Sequence, residues 1–580
     1  MVAGRHARAS PPGSMSVATG RGPATLADLL TNRIAATGEE PAYRHYDGAR
    51  WRAWNWYAAG REVARARAAF AASGLRRGDR VGICAYNTPE WVFCDLAALS
   101  AGLVVVPLFF NDRPENIAYC LKDAGVRWLF VDRPPAAEIL DCGLQGIVSF
   151  KETRGVASFR DWLAAADGRQ VAPADHGPGD LATIVYTSGT TGRPKGVMLT
   201  HGNILANVGA LLTALPEVAG ETHRFLSFLP LSHMLERTVG EYVAIAMGAE
   251  TVFSRGITEL GEDLKIARPT ILVSVPKIFE RTYGKMQEEL KASPRRQRLV
   301  AHASALGLAV YEGRARGPER LLARLSDALV GRAVRRRLGG KLRYVFLGGA
   351  PAAPRLLGFF TGLGLRFVQG YGLTETAPVI SCNRLSDRDL ASVGRPLANV
   401  TVRFVNDEIC VKGPSVMSGY WNLPEATAQA MDAEGYFHTG DLGRLEGGLL
   451  YLTGRAKDII VLSNGEKVAP ADVEQAILQD PAFEHALVVG EGRGALALLA
   501  VSDTADEQQL RDRANDQLHA FPGYTRIRHV LRVSGPWTIE NGFLTPTLKV
   551  RRQWIEERYA AAIDALYTAP RGDAEGRPAR

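Results

Sequence analysis

From Leu26 to about Tyr451 the chain switches repeatedly between helical apolar spacing and short β-rich runs, among them RVGICAY, AGLVVVPLFF, WLFVD, LATIVYT, TILVSV, LRYVFLGG and LRFVQGYG. Alternation of this kind predicts an α/β fold with mostly parallel strands, because parallel neighbours need helical crossovers. At 580 residues the chain exceeds what one hydrophobic core fills. Composition shifts after Arg455, where IIVLSNGEKV, EHALVVG and ALALLAV read as a smaller α+β unit. The expected organisation is a disordered leader over 1–25, a large N-terminal domain over 26–454, a small mobile C-terminal domain over 455–567 and a flexible tail over 568–580.

Six cysteines (Cys84, Cys94, Cys120, Cys142, Cys382, Cys410) lie scattered without CxxC spacing, several within apolar text. They read as buried reduced thiols of a cytoplasmic protein, and the sequence shows no clustering of His and Cys with metal-ligand spacing. The longest apolar stretch, Leu96 to Phe110, is broken by Ser100, Gly102 and Pro107 and falls short of the roughly 18 residues of a membrane span. Residues 1–27 contain no acid and no apolar signal core. They fit a leader, a start misassigned ahead of Met15, or an organelle transit peptide.

Charge is concentrated. Residues 291–343 hold 14 Lys/Arg and three acids, a local net of +11 against +8 for the whole chain. The segment has helical apolar spacing with arginines between, which suits either peripheral contact with the anionic inner face of a membrane or a solvated helix pair. Nothing resembles a nucleic-acid module, so no nucleic-acid partner is expected. A homodimer is compatible with the text.

The segment TIVYTSGTTGRPKG, Thr183 to Gly196, runs from a buried strand into a loop of glycines and hydroxyls. Gly189 and Gly192 let the backbone turn its N–H groups toward one anion, Thr187, Ser188, Thr190 and Thr191 add hydroxyl donors, and Lys195 adds a point charge. The spacing is not the G-x-x-x-x-G-K-S/T of a P-loop. It closely resembles the phosphate-binding signature of the adenylate-forming superfamily, whose members activate carboxylates with ATP.

Two further strands run into glycine turns, LRYVFLGGAPAAP (Leu342 to Pro354) and LRFVQGYGLTETAP (Leu365 to Pro378). Ligands of open α/β sheets gather beyond the carboxyl ends of strands, so both turns can line one crevice with the phosphate loop. The resemblance implies that Gly348, Gly349, Ala350 and the Tyr371 ring enclose adenine, with Gln369, Gly370 and Gly372 in the same nucleotide-binding stretch. It implies that Thr374 touches phosphate and that Glu375 holds Mg2+, with Thr190 as a further ligand. A carboxylate beside phosphate oxygens makes chemical sense only with a hard cation between them, although a plain turn with a capping acid reads the same way.

In YFHTGDLGRL, Tyr436 to Leu445, Asp441 offers two acceptor oxygens suited to ribose hydroxyls, or merely caps a turn. By resemblance Arg455 also reaches the nucleotide, Lys457 is the hinge between two catalytic arrangements, and Gly465 lines the approach of the CoA pantetheine arm. An Asn-Gly hairpin explains Gly465 equally well. Lys549, in LTPTLKVRR, matches the family's mobile catalytic lysine, and an ammonium brought in by domain closure can stabilise charge gathering on phosphate oxygens. By the same resemblance the catalytic group is Lys549, Glu375, Thr374 and Lys195.

FLPLSHMLERTVGEY contains His233 and Arg237 and by resemblance borders the acyl pocket, His233 as a wall residue rather than a base. LPLSHMLER, VPLFFNDRPENIAYCLKDAG, PTILVSVPKIFER and TPTLKVRR together resemble the long-chain fatty acyl-CoA synthetase branch. Two departures stand out: Asp407 replaces the usual glycine before Glu408, and Lys467 stands where many adenylating enzymes outside this branch carry arginine. The resemblance implies a two-step ligase using ATP, Mg2+, CoA and a long-chain fatty acid. Each buried methylene contributes about 0.8 kcal/mol, so long chains should outcompete acetate while neighbouring lengths are poorly resolved. The alternatives are a fatty acyl-AMP ligase loading a carrier protein and a catalytically silent acyl- or membrane-binding protein.

Overall fold

The computed structural model describes residues 22–187, 193–504, 506–545 and 549–568. Among them two large sheets dominate. The first has nine strands whose central members, including Arg224–Ser227, Ile271–Ser274, Tyr344–Leu347 and Arg366–Gly372, run parallel, with antiparallel pairs at both edges. The second has eight, built on Arg80–Cys84, Val104–Pro107, Val126–Val131 and Leu181–Thr187 in parallel and closed by antiparallel Lys195–Thr200. All seven β-rich runs of the sequence become strands of these sheets.

One core cluster joins both sheets through the helices Leu26–Thr37, Trp56–Ala72, Pro89–Ser100 and His201–Ala214 that lie between them. Separate clusters cover the outer face of each sheet, so helices and sheets alternate in layers. The helix Pro89–Ser100 starts on Thr88, whose hydroxyl accepts the Trp91 N–H at 3.2 Å, with Pro89 in the first turn. Its residues are buried all round because both neighbouring layers pack on it.

The buried Arg237 ties these layers. Its guanidinium pairs with Asp95 of that helix, donates to Thr183 Oγ1 at 2.8 Å and lies 5.7 Å from the Trp91 and Tyr242 rings. Tyr242 OH donates to the second Asp95 oxygen at 2.7 Å. Arg237 sits in the π-helical segment Glu236–Tyr242.

A four-stranded antiparallel sheet follows, Thr401–Val405, Glu408–Lys412, Phe437–Glu446 and Leu449–Arg455. Its first turn uses Asn406 and Asp407 with φ of 50° and 65°, so the missing glycine before Glu408 is replaced by two residues tolerant of the left-handed region. Beyond Arg455 a three-stranded sheet, His485–Val489, Leu496–Val501 and Ile527–Val533, forms a small α+β unit. Alternate residues pack on opposite faces: Val488, Leu498 and Val530 against the helices Pro470–Ile477 and Glu507–Asp516, and Leu487, Val489 and Leu499 against Trp537 and Ile555.

The basic segment forms the helices Pro294–Tyr311, Gly317–Ser326 and Arg332–Arg337, the last two joined by the π-helical turn Asp327–Gly331. Among the described residues no helix is long and apolar enough to cross a membrane.

Removing one partner of the Arg237 cluster strands a buried charge, so Asp95→Ala is expected to cost about 3–5 kcal/mol. Chemical denaturation followed by near-UV circular dichroism measures it, and an unchanged midpoint would contradict the structural weight given to this pair.

Candidate functional site: a nucleotide cleft beside an apolar cavity

The strand Leu181–Thr187 ends at Thr187, whose hydroxyl donates to the Lys195 carbonyl at 3.5 Å across the paired strand Lys195–Thr200. Ser188, Gly189, Thr190, Thr191 and Gly192 lie outside the described residues. Lys195 is nevertheless placed, with its ammonium 5.0 Å from the centre of the Tyr420 ring.

Tyr420 connects Lys195 to the next element. Its hydroxyl donates to Glu375 Oε1 at 2.9 Å, and the Met417 N–H donates to the Glu375 carbonyl at 2.8 Å. Glu375 stands in the single 3-10 turn Thr374–Thr376 that follows the strand Arg366–Gly372. Desolvation raises its carboxyl above the usual range, with the Tyr420 hydroxyl and Arg455 pulling the other way. No ion-pair partner neutralises Glu375 among the described residues, and a shielded carboxylate of that kind suits a hard divalent cation. Thr374, next to it, is half-buried.

The glycine turns are shaped by close approaches. A Cβ on Gly372 would fall 1.8 Å from the Pro378 carbonyl oxygen, so this turn admits only glycine. Gly349 has a φ of 82°, and Gly349 and Ala350 present open backbone at the end of Tyr344–Leu347. A Cβ on Gly348 would meet Leu235 at 3.2 Å, and one on Gly370 would meet the Ser381 carbonyl at 3.4 Å. Gln369 turns away: its side-chain amide donates to the Leu390 and Ser392 carbonyls at 2.8 and 3.1 Å, which anchors a loop.

Asp441 gathers the far side. Tyr371 OH donates to its Oδ2 and Arg455 Nε to its Oδ1, both at 2.8 Å. Each carboxylate oxygen keeps a further acceptor position, so sugar hydroxyls can be received without breaking either bond. Burial first, then Asp441, raises the Tyr371 phenol well above its usual range and keeps it a donor.

The small unit brings Lys549 to this cleft. Its backbone is pinned to Thr545 by reciprocal bonds of 2.8 and 3.0 Å. Solvent reaches the residue, yet desolvation, and then the Arg455 charge, holds its ammonium below the usual 10.5 while Asp441 opposes. His233 feels the same lysine: burial, then Lys549, lowers its imidazole to about 4. His233 is therefore neutral near pH 7, and its Nδ1 accepts the Leu235 N–H at 3.2 Å.

Leu235 also lines an apolar cavity of about 540 Å³, measured with the space at its mouth. Gly370 and Leu347 border it, as do Leu215, Val218 and Met247. The strand Arg366–Gly372 thus serves as a shared wall between the cavity and the glycine turns at the strand ends.

Lys457 lies exposed in the turn after Arg455, where the Asp458 and Ile459 N–H groups both donate to the Arg455 carbonyl at 3.1 Å. Gly465 closes the hairpin between Ile460–Val461 and Lys467–Val468 with a φ of 84°, and a Cβ there would meet nothing within 4 Å. Its glycine is required by conformation rather than by crowding.

Two features escape a reading of the sequence. Tyr420, the link between Lys195 and Glu375, is set by the pairing of Gly419–Tyr420 with Lys195–Thr200, and the aromatic pair in SGYW was its only trace. The expected absence of His/Cys ligand clustering is corrected by Glu408, Cys410 and His438, whose side-chain donors lie within 4.8 Å of one another. Cys410 and His438 are 28 residues apart, and strand register alone makes them neighbours.

Comparison with known proteins agrees with this architecture. Residues 30–421 match the family model described as AMP-binding enzyme, and 457–571 match the AMP-binding enzyme C-terminal domain. The long-chain-fatty-acid–CoA ligase FadD15 of Mycobacterium bovis is 33% identical over 536 residues, covering 85% of this chain and 89% of that protein. The chloroplastic long-chain-fatty-acid–acyl-carrier-protein ligase AEE15 of Arabidopsis thaliana is 29% identical over 588 residues, covering 85% of this chain and 80% of that protein. In fold, the A domain of carboxylic acid reductase from Segniliparus rugosus, solved with AMP and a co-purified carboxylic acid, superposes with a TM-score of 0.76 at 22% identity over 94% of each chain. The chain belongs to the adenylate-forming AMP-binding enzymes, in their long-chain fatty acyl-CoA synthetase branch.

Proposed function

We propose that the protein is an AMP-forming long-chain fatty acid:CoA ligase. The carrying observation is one wall, Arg366–Gly372, shared by an apolar cavity and a cleft edged by Glu375, Asp441, Arg455 and Lys549. A fatty chain in the cavity puts its carboxylate at the nucleotide end, where it attacks the α-phosphorus of ATP and pyrophosphate departs. Lys549 offers its charge to the oxygens in transit, Lys195 and the hydroxyl loop hold the outer phosphates, and Asp441 and Arg455 fix the ribose. Glu375 would hold Mg2+, which would supply neutralisation of phosphate charge. In the second step the CoA thiolate attacks the acyl carbonyl and AMP leaves, after a rotation about Lys457 that turns the Gly465 hairpin toward the cleft.

The resemblance to AEE15, a long-chain-fatty-acid–acyl-carrier-protein ligase, favours a second reading, with an acyl-carrier protein as acceptor. Incubation with MgATP and palmitate, with CoA or with a phosphopantetheinylated carrier protein, separates them. CoA-dependent palmitoyl-CoA and stoichiometric AMP are expected. Thioester on the carrier alone would establish the second reading, and no AMP from any acid would overturn both.

Lys549→Ala is expected to lower palmitate-dependent pyrophosphate exchange by about 10²–10³-fold while the thioester-forming step from supplied palmitoyl-AMP is largely retained. Equal loss in both half-reactions would remove the lysine from the first step.

Because only the protonated lysine carries the charge, and desolvation in the cleft, then the Arg455 charge, lowers its pKa, exchange should fall on the alkaline side with a midpoint below 10.5. In Lys549→Arg, whose guanidinium stays charged, that limb should vanish; its persistence would point to another group.

The basic helices support peripheral contact with the anionic inner membrane face in the cytoplasm. Leu321, Leu325 and Leu329 repeat every four residues and are 61%, 57% and 76% exposed, among exposed Arg320, Arg324, Arg332 and Arg336. An apolar stripe flanked by guanidiniums suits the boundary between headgroups and acyl chains. Co-sedimentation with phosphatidylserine-containing vesicles should exceed that with phosphatidylcholine alone and fall sharply in combined Leu321→Glu, Leu325→Glu and Leu329→Glu. Equal pelleting of the variant would refute the contact.

A further inference from the structure

Outside the nucleotide cleft, the four-stranded sheet assembles three donors of different chemistry. Glu408 and Cys410 are two apart on Glu408–Lys412 and so share a face, and His438 on Phe437–Glu446 is the direct cross-strand partner of Cys410. His438 Nδ1 lies 2.9 Å from Glu408 Oε2 and 3.5 Å from Cys410 Sγ. Cys410 is buried, while the Glu408 and His438 side chains keep 23% and 29% of their surface, so one side of the cluster opens to water.

These separations are close to what a tetrahedral ion needs. Bonds of about 2.0–2.3 Å to nitrogen, oxygen and sulfur place neighbouring donors roughly 3.3–3.8 Å apart; the His438–Cys410 separation falls in that range, His438–Glu408 is a few tenths of an ångström shorter, and all three donors lie within 4.8 Å of one another. Asp432 Oδ2 stands 3.9 Å from His438 Nε2, beyond hydrogen-bond reach and itself paired with Arg403, so it acts on the imidazole through its charge alone. Glu408 keeps its second oxygen on the Gly440 N–H at 2.9 Å, which fixes the carboxylate's direction. Arg403, which faces Cys410 from the neighbouring strand, pairs with Asp432 and Glu434.

We propose that Glu408, Cys410 and His438 bind one thiophilic divalent transition-metal ion, of which zinc is the type, with water as the fourth ligand. A thiolate and an imidazole in the donor set select against Mg2+ and Ca2+. The carboxylate and thiolate balance the ion's two charges. The site lies where the strand pairing shifts register opposite Thr439–Asp441, so occupancy stiffens the turn that presents Asp441.

The test uses the purified full chain, stripped with a chelator and titrated with Co2+ in excess Mg2+. One equivalent should give a thiolate-to-cobalt charge-transfer band, and added Zn2+ should abolish it. Cys410→Ser should lose the band and His438→Gln should weaken binding at least tenfold. Cys142→Ser, at the one cysteine that is not buried, should keep the band, with circular dichroism confirming that every variant is folded. Absence of the band in the wild-type chain, or its survival in Cys410→Ser, would overturn the site and leave the trio an ordinary hydrogen-bonded group.

Discussion

A single buried guanidinium sets the relation between the two halves of the large domain. Arg237 reaches Asp95 in the inner helix layer, Thr183 in the eight-stranded sheet, and the rings of Trp91 and Tyr242. Thr183 lies within the strand Leu181–Thr187, and Arg237 belongs to the π-helical segment whose Val239 lines the apolar cavity. Burying this pair costs desolvation that its own attraction barely offsets, so its contribution is to registration more than to net stability. A slip of the π-helical segment against the sheet would leave an unpaired charge in the core and move the cavity relative to the nucleotide end.

What the sequence displays well is what local chemistry determines. The seven apolar runs become strands because their length and β-branched content leave few other choices, and Gly349 and Gly372 mark turns because one needs a positive φ and the other admits no Cβ. What it conceals is set by register. Tyr420 is joined to Lys195 and Glu375 only through the pairing of two strands more than 200 residues apart, and Cys410 meets His438 only across a ladder. Gln369 sits inside a recognisable nucleotide-binding stretch, yet its amide is spent on a loop, which no spacing reveals. In the basic segment the helical period was legible, whereas the exposure of Leu321, Leu325 and Leu329 depends on which neighbours fail to cover them.

The contacts between the small unit and the large domain explain why the proposed hinge has something to do. Lys549 enters a cleft already holding Arg455, Arg551 lies where Arg113 disfavours its charge, and His485 faces Lys277 and Arg281, with burial and those two cations lowering it to about 4. Cation meets cation at the first two of these places, relieved in part by Asp441 and Asp112, while His485 is held neutral near pH 7. A docked arrangement with that pattern is held weakly by its own charges and is strengthened by an anion placed in the cleft. A nucleotide triphosphate supplies such an anion before the first step, and its departure as pyrophosphate removes most of that charge afterwards. The turn at Lys457 directly follows the Asp441–Arg455 bond. Under the proposed hinge, torsional change there would displace Lys549 while leaving Asp441 and Arg455 in place, and loss of phosphate charge would favour departure of the small unit.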